Sequence, residues 1–348
     1  MYKIINEAMA QILIPREEKI SKKMQVFYNP VMEFNRDMSI DVLNSIQLDD
    51  MQIGLPLAGT GVRGVRLALE LEKGKAKNIS MNDLSKEAVV IIEKNVQNNH
   101  TTANVHNMEA NQFLLESKGF DYIDIDPFGN PSEFLDTAVK RLARCGILAV
   151  TATDTSALCG TYPNVCKRKY WALPIRNELM YEAGLRILIR KVQLMGTQYD
   201  KALIPVFSYA KDHYMRVFFK SKKSKSLSAE IFDKHKEIEF NNTPIFGPIW
   251  TGQLNDTEIV SEMLRRCKKE KNKKFIETIK KESETNALFY YDIHREIKRY
   301  KIQNNPRKQR IINKIKEEGY VASETHFLPT AVKTDIPHEK FLEIIKDN

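Results

Sequence analysis

Apolar positions in the first half of the chain alternate between strand-like runs and the three-to-four-residue spacing of amphipathic helices. Strand patterns end near residues 57, 82, 106, 126 and 153, and helical patterns occupy 65–69, 86–98, 112–117 and 132–142. Five β–α repeats in this order predict a doubly wound parallel sheet, so the fold class is α/β. A strand or hairpin over 8–14 and a helix over 32–46 precede these repeats.

The second half of the chain is less regular. A long loop over 158–178, a helix over 181–194 and two strands between 201 and 223 come first. The remaining predicted elements are helices at 257–282, 287–300 and 306–318, a hairpin over 325–337 and a final helix. Together they predict a smaller α+β domain at the C-terminal end.

Composition divides the chain into three parts. Ser and Lys accumulate after residue 220, and Pro and Gly follow. We expect residues 1–220 to form the α/β domain with the N-terminal hairpin, 221–256 to form a linker region, and 257–348 to form a basic C-terminal domain.

The charge balance favours a polyanionic partner. The chain has 348 residues, a net charge of +9 and an isoelectric point near 9.1, which favours nucleic acid over a membrane. Nine Lys or Arg stand against two acids between residues 265 and 281, and nine against one between 295 and 316. Such runs are typical of solvated helix faces, but two in one domain also suit a phosphate-binding surface.

Several classes of protein are not indicated. The four cysteines, Cys145, Cys159, Cys166 and Cys267, include no CxxC pair, so we expect neither a zinc site nor a disulfide framework. The N-terminus lacks the pattern of a signal peptide, and no apolar run approaches the ~18 residues of a membrane span. We expect a cytoplasmic protein that is a monomer.

The most informative stretch is FDYIDIDPFGNP, residues 120–131. Its strand pattern must stop at Pro127, which cannot donate to a sheet ladder. Asp126 then lies at the carboxyl end of a strand, where open α/β sheets bind ligands. An acid followed by a proline and Phe128 suits holding the exocyclic amine of a flat base during group transfer to its nitrogen. The alternative is a turn in which Asp126 caps the next helix.

A glycine-rich turn follows the first predicted strand of the sheet. Gly59, Gly61 and Gly64 allow a close backbone approach to a ligand, as in nucleotide-binding turns. An acid ~20 residues later commonly binds ribose hydroxyls. Asp83 has that position, which favours the ribose role over the alternative in which it caps the next helix, 86–98. Glu109 follows the third strand and could orient an adenine or cap its own helix.

Two basic features are ambiguous. Arg36 lies on the more polar side of the helix predicted over 32–46, which is also typical of a solvated face. The cluster Lys167–Lys169 adjoins Tyr170 and Trp171, and such interleaving suits an unpaired nucleic-acid strand. A loop that packs its aromatic rings inward has the same pattern.

The chain resembles a known family through motifs that run from one end to the other. They are FYNPVMEFNRD, AGTGVRGVR, NDLS, EAN, DIDPFGNP, TATDTSALCG, FGPIW and YVASETHFLPTAVKTDIP. In this order they resemble the tRNA (guanine-N2)-dimethyltransferases, which modify guanine 26. The resemblance implies a class I S-adenosylmethionine-dependent methyltransferase domain of Rossmann-like fold, S-adenosyl-L-methionine as methyl donor, and tRNA as the partner of the basic C-terminal domain.

The resemblance also implies roles for individual residues. The implied residues are Asp126, Pro127 and Phe128 for catalysis, Arg36, Arg66, Asp83, Glu109 and Ala110 for the cofactor, and Phe27 with Phe128 for a flipped guanine. The chain departs from the wider pattern in one place, because Leu55-Pro56-Leu57 lacks the acid that many methyltransferases carry before the glycine turn. Some relatives carry a cysteine zinc site, but Cys267 stands alone, so we expect no metal.

Three rival functions stay open. Adenine-N6 and cytosine-N4 methyltransferases also use an acid or Asn before proline and an aromatic residue, but favour a second proline where this chain has Phe128. A catalytically silent RNA-binding protein is the second rival. A nicotinamide-dependent dehydrogenase, suggested by the glycine turn, is the third and fits the basic C-terminal region poorly.

Overall fold

The structure is a computed structural model that describes residues 2–16, 26–241, 243–285 and 287–347. It begins with the N-terminal hairpin, in which β1 (Tyr2–Glu7) pairs antiparallel with β2 (Ala10–Pro15). A 3-10 turn, Pro30–Met32, leads into helix α1 (Glu33–Ser45), which agrees with the helix predicted there.

Seven strands form one sheet. The elements in chain order are β3 (Met51–Leu55), α2 (Val62–Glu70), β4 (Ala76–Asn82), α3 (Lys86–Asn98), β5 (Asn104–His106), α4 (Ala110–Glu116), β6 (Phe120–Ile125), α5 (Ser132–Arg141), β7 (Leu142–Ala152), α6 (Thr155–Leu158), α7 (Pro163–Tyr170), α8 (Met180–Thr197), β8 (Lys201–Lys211) and β9 (Tyr214–Lys223). The strand order is β5-β4-β3-β6-β7-β9-β8. The pairs among β3 to β7 are parallel, which confirms the predicted α/β sheet.

The order of the strands creates a switch point between β3 and β6. After β3 the chain builds outward through β4 and β5, then returns to the other side of β3 to form β6 and β7. Loops that leave adjacent strands in opposite directions open a crevice at their carboxyl ends, where ligands bind in such sheets. The central strands are mostly apolar, and Ile53, Ile123 and Leu148 are fully buried, because helices cover parallel sheets on both faces.

The remaining elements form smaller sheets and helices. In chain order they are α9 (Lys225–Asp233), β10 (His235–Ile238), β11 (Phe246–Trp250), α10 (Thr257–Arg266), α11 (Glu270–Ser283), β12 (Tyr291–Asp292), α12 (Ile293–Tyr300), α13 (Lys308–Glu317), β13 (Ala322–Glu324), β14 (Ala331–Thr334) and α14 (His338–Lys346). Strands β12, β14 and β13 form an antiparallel sheet in that order. A core that includes Tyr291, Ile315 and Phe341 packs around it.

Three sequence predictions are wrong in their local structure. The helix predicted over 287–300 begins only at Ile293, after strand β12. The predicted loop over 158–178 contains helix α7, because Pro163 occupies its first turn and Cys166 and Tyr170, one turn apart, are fully buried. The single helix predicted over 257–282 is two helices, since the backbone is extended at Cys267 and Lys269. Residues 265–269 hold four Lys or Arg and no acid, and like charges at helical spacing destabilise a helix.

The chain folds into two compact units. One comprises Met1–Thr153, Val192–Ile204 and Arg216–Phe232, and the other comprises Asp154–Lys191, Pro205–Met215 and Asp233–Asn348. The units interleave along the chain, and the boundaries at 220 and 256 stay a prediction. Among the described residues, no helix combines the length and the apolar character that a bilayer crossing requires.

Candidate active site

The carboxyl edge of the parallel sheet gathers four of the predicted positions. The glycine turn follows β3, Asp83 follows β4, Glu109 lies shortly after β5, and Asp126 follows β6 directly. Parallel strands end at the same edge of a sheet, so one topology brings together residues far apart in sequence.

The glycine turn is shaped mainly by packing within the protein. Gly59 and Gly61 have φ values of 57° and 75°, which favour glycine. A Cβ atom on Gly59 would lie 2.8 Å from the carbonyl oxygen of Phe27, and one on Gly64 would lie 2.2 Å from Sδ of Met81. Gly64 therefore permits close packing of α2 on β4, while the approach of this turn to a ligand stays a prediction.

Asp83 is fixed by backbone donors on both oxygens. Its Oδ2 accepts from the N–H of Gly59 at 2.9 Å, and its Oδ1 accepts from the N–H of Ser85 at 3.0 Å. Burial raises the pKa of Asp83, partly offset by these hydrogen bonds. The cap of α3 is Ser85, whose Oγ accepts from the N–H of Ala88. The helix-cap alternative for Asp83 is therefore wrong.

Glu109 does cap its helix. Its Oε2 accepts from the N–H groups of Asn111 and Gln112 at 2.8 and 3.0 Å, at the start of α4. Ala110 is the first residue of that helix and is buried. The cap accounts for Oε2, while Oε1 accepts from the Asn111 side chain at 3.1 Å. An adenine-side role for this pair stays a prediction.

Asp126 forms an ion pair with Arg63 on α2. The cap position of α5 is held by Pro131, so the alternative in which Asp126 caps the next helix is wrong. The Asp126 side chain is 19% exposed and that of Arg63 is 10% exposed. The carboxylate therefore lies at a partly open edge with a buried cation behind it.

Two aromatic rings accompany this carboxylate. The rings of Phe27 and Phe128 meet edge to face, with their centroids 4.1 Å apart. Phe128 is 40% exposed, although it is a large apolar side chain. The turn that carries it is anchored to the end of β7, since the N–H of Gly129 donates to Oγ1 of Thr153 at 2.6 Å. An apolar, partly exposed pair beside a carboxylate suits a planar polar ring.

Arg36 and Arg66 point into a buried ionic cluster. Arg36 donates to both carboxylate oxygens of Glu7 at 2.6 and 2.5 Å, and Arg66 donates to Glu7, Asp37 and Glu70. Arg36 is only 5% exposed, so the alternative of a solvated helix face is wrong. Burial raises the pKa of Glu7, but Arg36, Tyr28 and Arg66 together outweigh that effect and lower it overall.

Sequence reasoning missed Arg63 and Glu7. Arg63 stands three residues before Arg66 in the motif AGTGVRGVR, and this spacing on a helix was the signal that could have indicated it. Glu7 gave no signal, because an acid at the end of a short strand is ordinary. Its role depends on the hairpin that brings β1 against α1 and α2.

The doubly wound sheet, with acids at its carboxyl edge and its switch point at β3 and β6, defines the Rossmann-like methyltransferase class. The model of the N2,N2-dimethylguanosine tRNA methyltransferase family matches residues 8–243 and 228–346. The chain belongs to this family, as its motifs predicted, and it is a methyltransferase.

Relatives and a solved structure match over almost the whole chain. The tRNA (guanine(26)-N(2))-dimethyltransferase of Pyrococcus horikoshii is 36% identical over 98% of this chain and 97% of its own. That of Thermococcus kodakarensis is 38% identical over 99% and 98%. The structure of Trm1 from Pyrococcus horikoshii with S-adenosyl-L-methionine has a TM-score of 0.90 and 35% identity, and covers 99% of this chain and 100% of that one.

Proposed function

We propose that the chain transfers methyl groups from S-adenosyl-L-methionine to the N2 amine of guanine 26 in tRNA, giving the dimethylated base. Family membership and the names of its full-length relatives support the reaction. The observation that carries the proposal for the site is Asp126 at the switch-point edge, two residues before Phe128, whose ring contacts that of Phe27. A tRNA substrate also accounts for the net charge of +9.

The residues at the edge fit an adenosine-containing methyl donor. Asp83 and Glu109 place carboxylate acceptors after two neighbouring strands, as ribose hydroxyls and an adenine amine require. The side-chain oxygen of Thr60, in the glycine turn, is buried and has no hydrogen-bond partner among the described residues. When bound, the donor supplies a methyl group on a positively charged sulfur.

We assign the two ends of the donor to different residues. Asp83, Glu109 and Ala110 would hold its nucleoside, while Arg36 and Arg66 would hold its carboxylate end. Arg36 already binds Glu7 at 2.5 Å, so a ligand carboxylate has to share or replace that ion pair. Glu7 would therefore compete with the carboxylate of the donor for binding to Arg36.

Asp126 and Pro127 would act on the guanine. The guanine 2-amino group is a poor nucleophile, because its lone pair is delocalised into the ring. A carboxylate oxygen of Asp126 and the carbonyl of Pro127 would accept hydrogen bonds from the two N–H groups of this amine. These hydrogen bonds would aim the lone pair of the nitrogen at the methyl group. Asp126 would take the proton that the nitrogen releases.

Phe27 and Phe128 would hold the guanine outside its helix. A base in a folded tRNA leaves its stack at a cost of a few kcal/mol, which aromatic contacts in the pocket offset. The exposure of Phe128, at 40%, supports this role, because an apolar ring at an open edge has surface to bury on a substrate.

The basic C-terminal helices would bind the tRNA backbone. Lys273 and Lys274 on α11 are exposed, as phosphate contacts require. At the end of α7 the two aromatic residues have different surroundings, since Tyr170 is fully buried and Trp171, which follows the helix, is 50% exposed. Trp171 can therefore stack on an unpaired nucleotide beside the exposed Lys167–Lys169, whereas Tyr170 belongs to the core. The proposal also includes a monomer that acts in the cytoplasm.

The test is methyl transfer from labelled donor to an unmodified tRNA transcript, with nucleoside mapping of the product. We expect N2,N2-dimethylguanosine at position 26, and no label at that position when it is replaced by adenine. A relative from Aquifex aeolicus is named for guanine 26 and guanine 27, so mapping also covers the next position. Label on N6 of adenine or N4 of cytosine would support an adenine-N6 or cytosine-N4 methyltransferase. The absence of any label would support a catalytically silent RNA-binding protein.

The matched variant is Asp126→Asn. It keeps the size of the side chain and removes the charge, so turnover should fall by about 10²-fold or more while cofactor binding is retained. Cofactor binding is measured by calorimetry with S-adenosylhomocysteine. Wild-type turnover in this variant would remove Asp126 from the mechanism.

A further inference from the structure

The ion pair beneath Asp126 belongs to a larger buried network. Nη2 of Arg63 donates to Oδ2 of Asp126 and, at 2.9 Å, to Oδ1 of Asn35. Nη1 of Arg63 donates to Oγ of Ser39 at 2.8 Å. The guanidinium is therefore anchored by two side chains of α1 while it holds the carboxylate.

A second carboxylate, on strand β6, also contacts Arg63. Oδ2 of Asp124, on β6, lies 3.3 Å from Nη1 of Arg63. Asp124 in turn receives two hydrogen bonds from the fully buried Arg216, at 2.8 and 2.7 Å, and one from the hydroxyl of Tyr122 at 2.5 Å. Burial raises the pKa of Asp124, but Arg216 and Arg63 outweigh that effect and lower it.

The four charged groups form an alternating series from the core to the edge. Arg216, Asp124, Arg63 and Asp126 carry charges that cancel in pairs. A buried charge without partners would be strongly destabilising, so each member constrains the position of the next. Within this series, Asp126 is the member that reaches the partly open edge.

The two oxygens of Asp126 consequently have different surroundings. Oδ2 accepts from Arg63, whereas Oδ1 receives no hydrogen bond from the described residues. One oxygen is thus held by the protein and the other is left for a ligand. Because a planar guanidinium donates along fixed directions, holding Oδ2 also sets the direction in which Oδ1 points.

We propose that Arg63 is the positioning residue for Asp126, and that it aims Oδ1 at the amine of the substrate base. This inference rests on the proposed catalytic role of Asp126. Arg63 contacts neither donor nor base in this arrangement, and it acts only through the carboxylate. A positive charge alone is insufficient to position Asp126, since the guanidinium donates to Asn35, Ser39 and Asp126 together.

The experiment combines Arg63→Gln, Arg63→Lys, Asp126→Asn and the Arg63→Gln/Asp126→Asn double variant. Misplacement of a catalytic group by about 1 Å can cost about 10²-fold in rate. We therefore expect Arg63→Gln to lower kcat by about 10²-fold, with KM for donor and tRNA changed less than about 3-fold. Arg63→Lys should recover part of the loss, because it restores the charge but not the fork.

The double variant decides whether Arg63 works through Asp126. In the Asp126→Asn background, Arg63→Gln should lower kcat by less than about 3-fold further, since residues that act as a unit are not additive. Fully multiplicative losses would overturn the proposal. So would an unchanged kcat in Arg63→Gln, or a loss of S-adenosylhomocysteine binding, which would make Arg63 a donor ligand.

Arg186→Gln is the control for loss of a buried arginine. Arg186 also pairs with a buried carboxylate, Glu182, at 2.8 Å, and lies outside the site. Its replacement should lower thermal stability without the fall in kcat. If Arg63→Gln does not fold, the proposal is tested with Arg63→Lys. A kcat equal to that of the wild-type protein in Arg63→Lys would then contradict the proposal. Wild-type activity of Asp126→Asn would instead refute the catalytic role of Asp126 on which this inference rests, whereas the absence of methyl transfer by the wild-type protein would refute the proposed function.

Discussion

At the scale of single residues, surroundings separate acids that look alike in the sequence. Asp83 receives two backbone N–H groups and is buried enough to raise its pKa. Glu109 uses one oxygen to cap its helix, and Asp126 leaves one oxygen unbound by the described residues. The chemical type is the same, so the number of protein donors decides what each acid can offer a ligand.

Asp83→Asn should weaken donor binding. The amide can accept from one backbone N–H but presents an NH2 group to the other, and it loses the charge that binds hydroxyls. The loss of one charged hydrogen bond predicts about 10–100-fold weaker binding of S-adenosylhomocysteine, or about 1.4–2.7 kcal/mol. Calorimetry measures it. Glu87→Gln, an exposed acid on the next helix, is the control, and equal affinity in both variants would contradict the role.

Phe128→Leu should impair the handling of the base. Leucine keeps apolar volume but removes the ring that meets Phe27 at 4.1 Å. An aromatic base contact contributes about 1–3 kcal/mol, so kcat/KM for tRNA should fall by about 5–150-fold, with donor affinity retained. Leu115→Ala, an exposed apolar residue elsewhere, is the control. A similar fall in that variant would argue against a specific role for the ring.

At the scale of elements, the N-terminal hairpin is fastened to α1 and α2 by charge as well as by packing. Ile12 and Ile14 of β2 pack with Tyr28 and Val65, and Glu7 of β1 binds Arg36 and Arg66. The hairpin thus completes the cluster that the family resemblance assigns to the donor. Two roles, structural and ligand-binding, meet on the same guanidinium groups.

Glu7→Gln tests which role dominates. Removing one partner of a buried ion pair leaves an uncompensated charge, which typically costs about 3–5 kcal/mol. We expect a lower free energy of unfolding in urea, together with tighter donor binding if Arg36 accepts the donor's carboxylate. A stability loss with unchanged donor affinity would make the Arg36 pair purely structural.

At the scale of the whole molecule, several buried groups make folding sensitive to acid. Burial lowers the pKa of His235 to about 4, so at mild acidity the unfolded chain binds a proton that the folded one does not. Burial raises the pKa of Glu182, but Lys333 and Arg186 lower it below its ordinary value of 4.5. Glu7 and Asp124 are lowered in the same way.

The free energy of unfolding should therefore decrease in two stages as the pH is lowered. A depressed histidine pKa removes stability as pH falls from 6.5 toward 4, and depressed carboxyl pKa values remove more below about pH 4.5. Urea midpoints measured from pH 8 down to about pH 3 cover both stages. His235→Gln should flatten the upper stage only, and a midpoint that is constant from pH 7 to pH 5 would contradict the first stage.

Binding of tRNA should weaken steeply with salt. Release of counterions predicts a log–log slope of several units for a protein that contacts several phosphates. Lys273→Glu with Lys274→Glu should reduce the magnitude of the slope, by about one unit for each phosphate that the variant no longer binds. Lys222→Glu, outside the basic C-terminal helices, is the control. A flat response in the wild-type protein would refute a phosphate-binding surface.

The sequence by itself determined the alternation of elements, the strand that stops at Pro127, and the family. These depend on local periodicity, on the missing N–H of proline and on ordered motifs, which need no knowledge of distant contacts. Only the tertiary structure decided that Arg36 is buried against Glu7, that Ser85 and not Asp83 caps α3, and that Arg63 forms an ion pair with Asp126. Partners of a charged side chain come from other elements, so their identity is fixed by how the chain folds back on itself and not by the residues beside it.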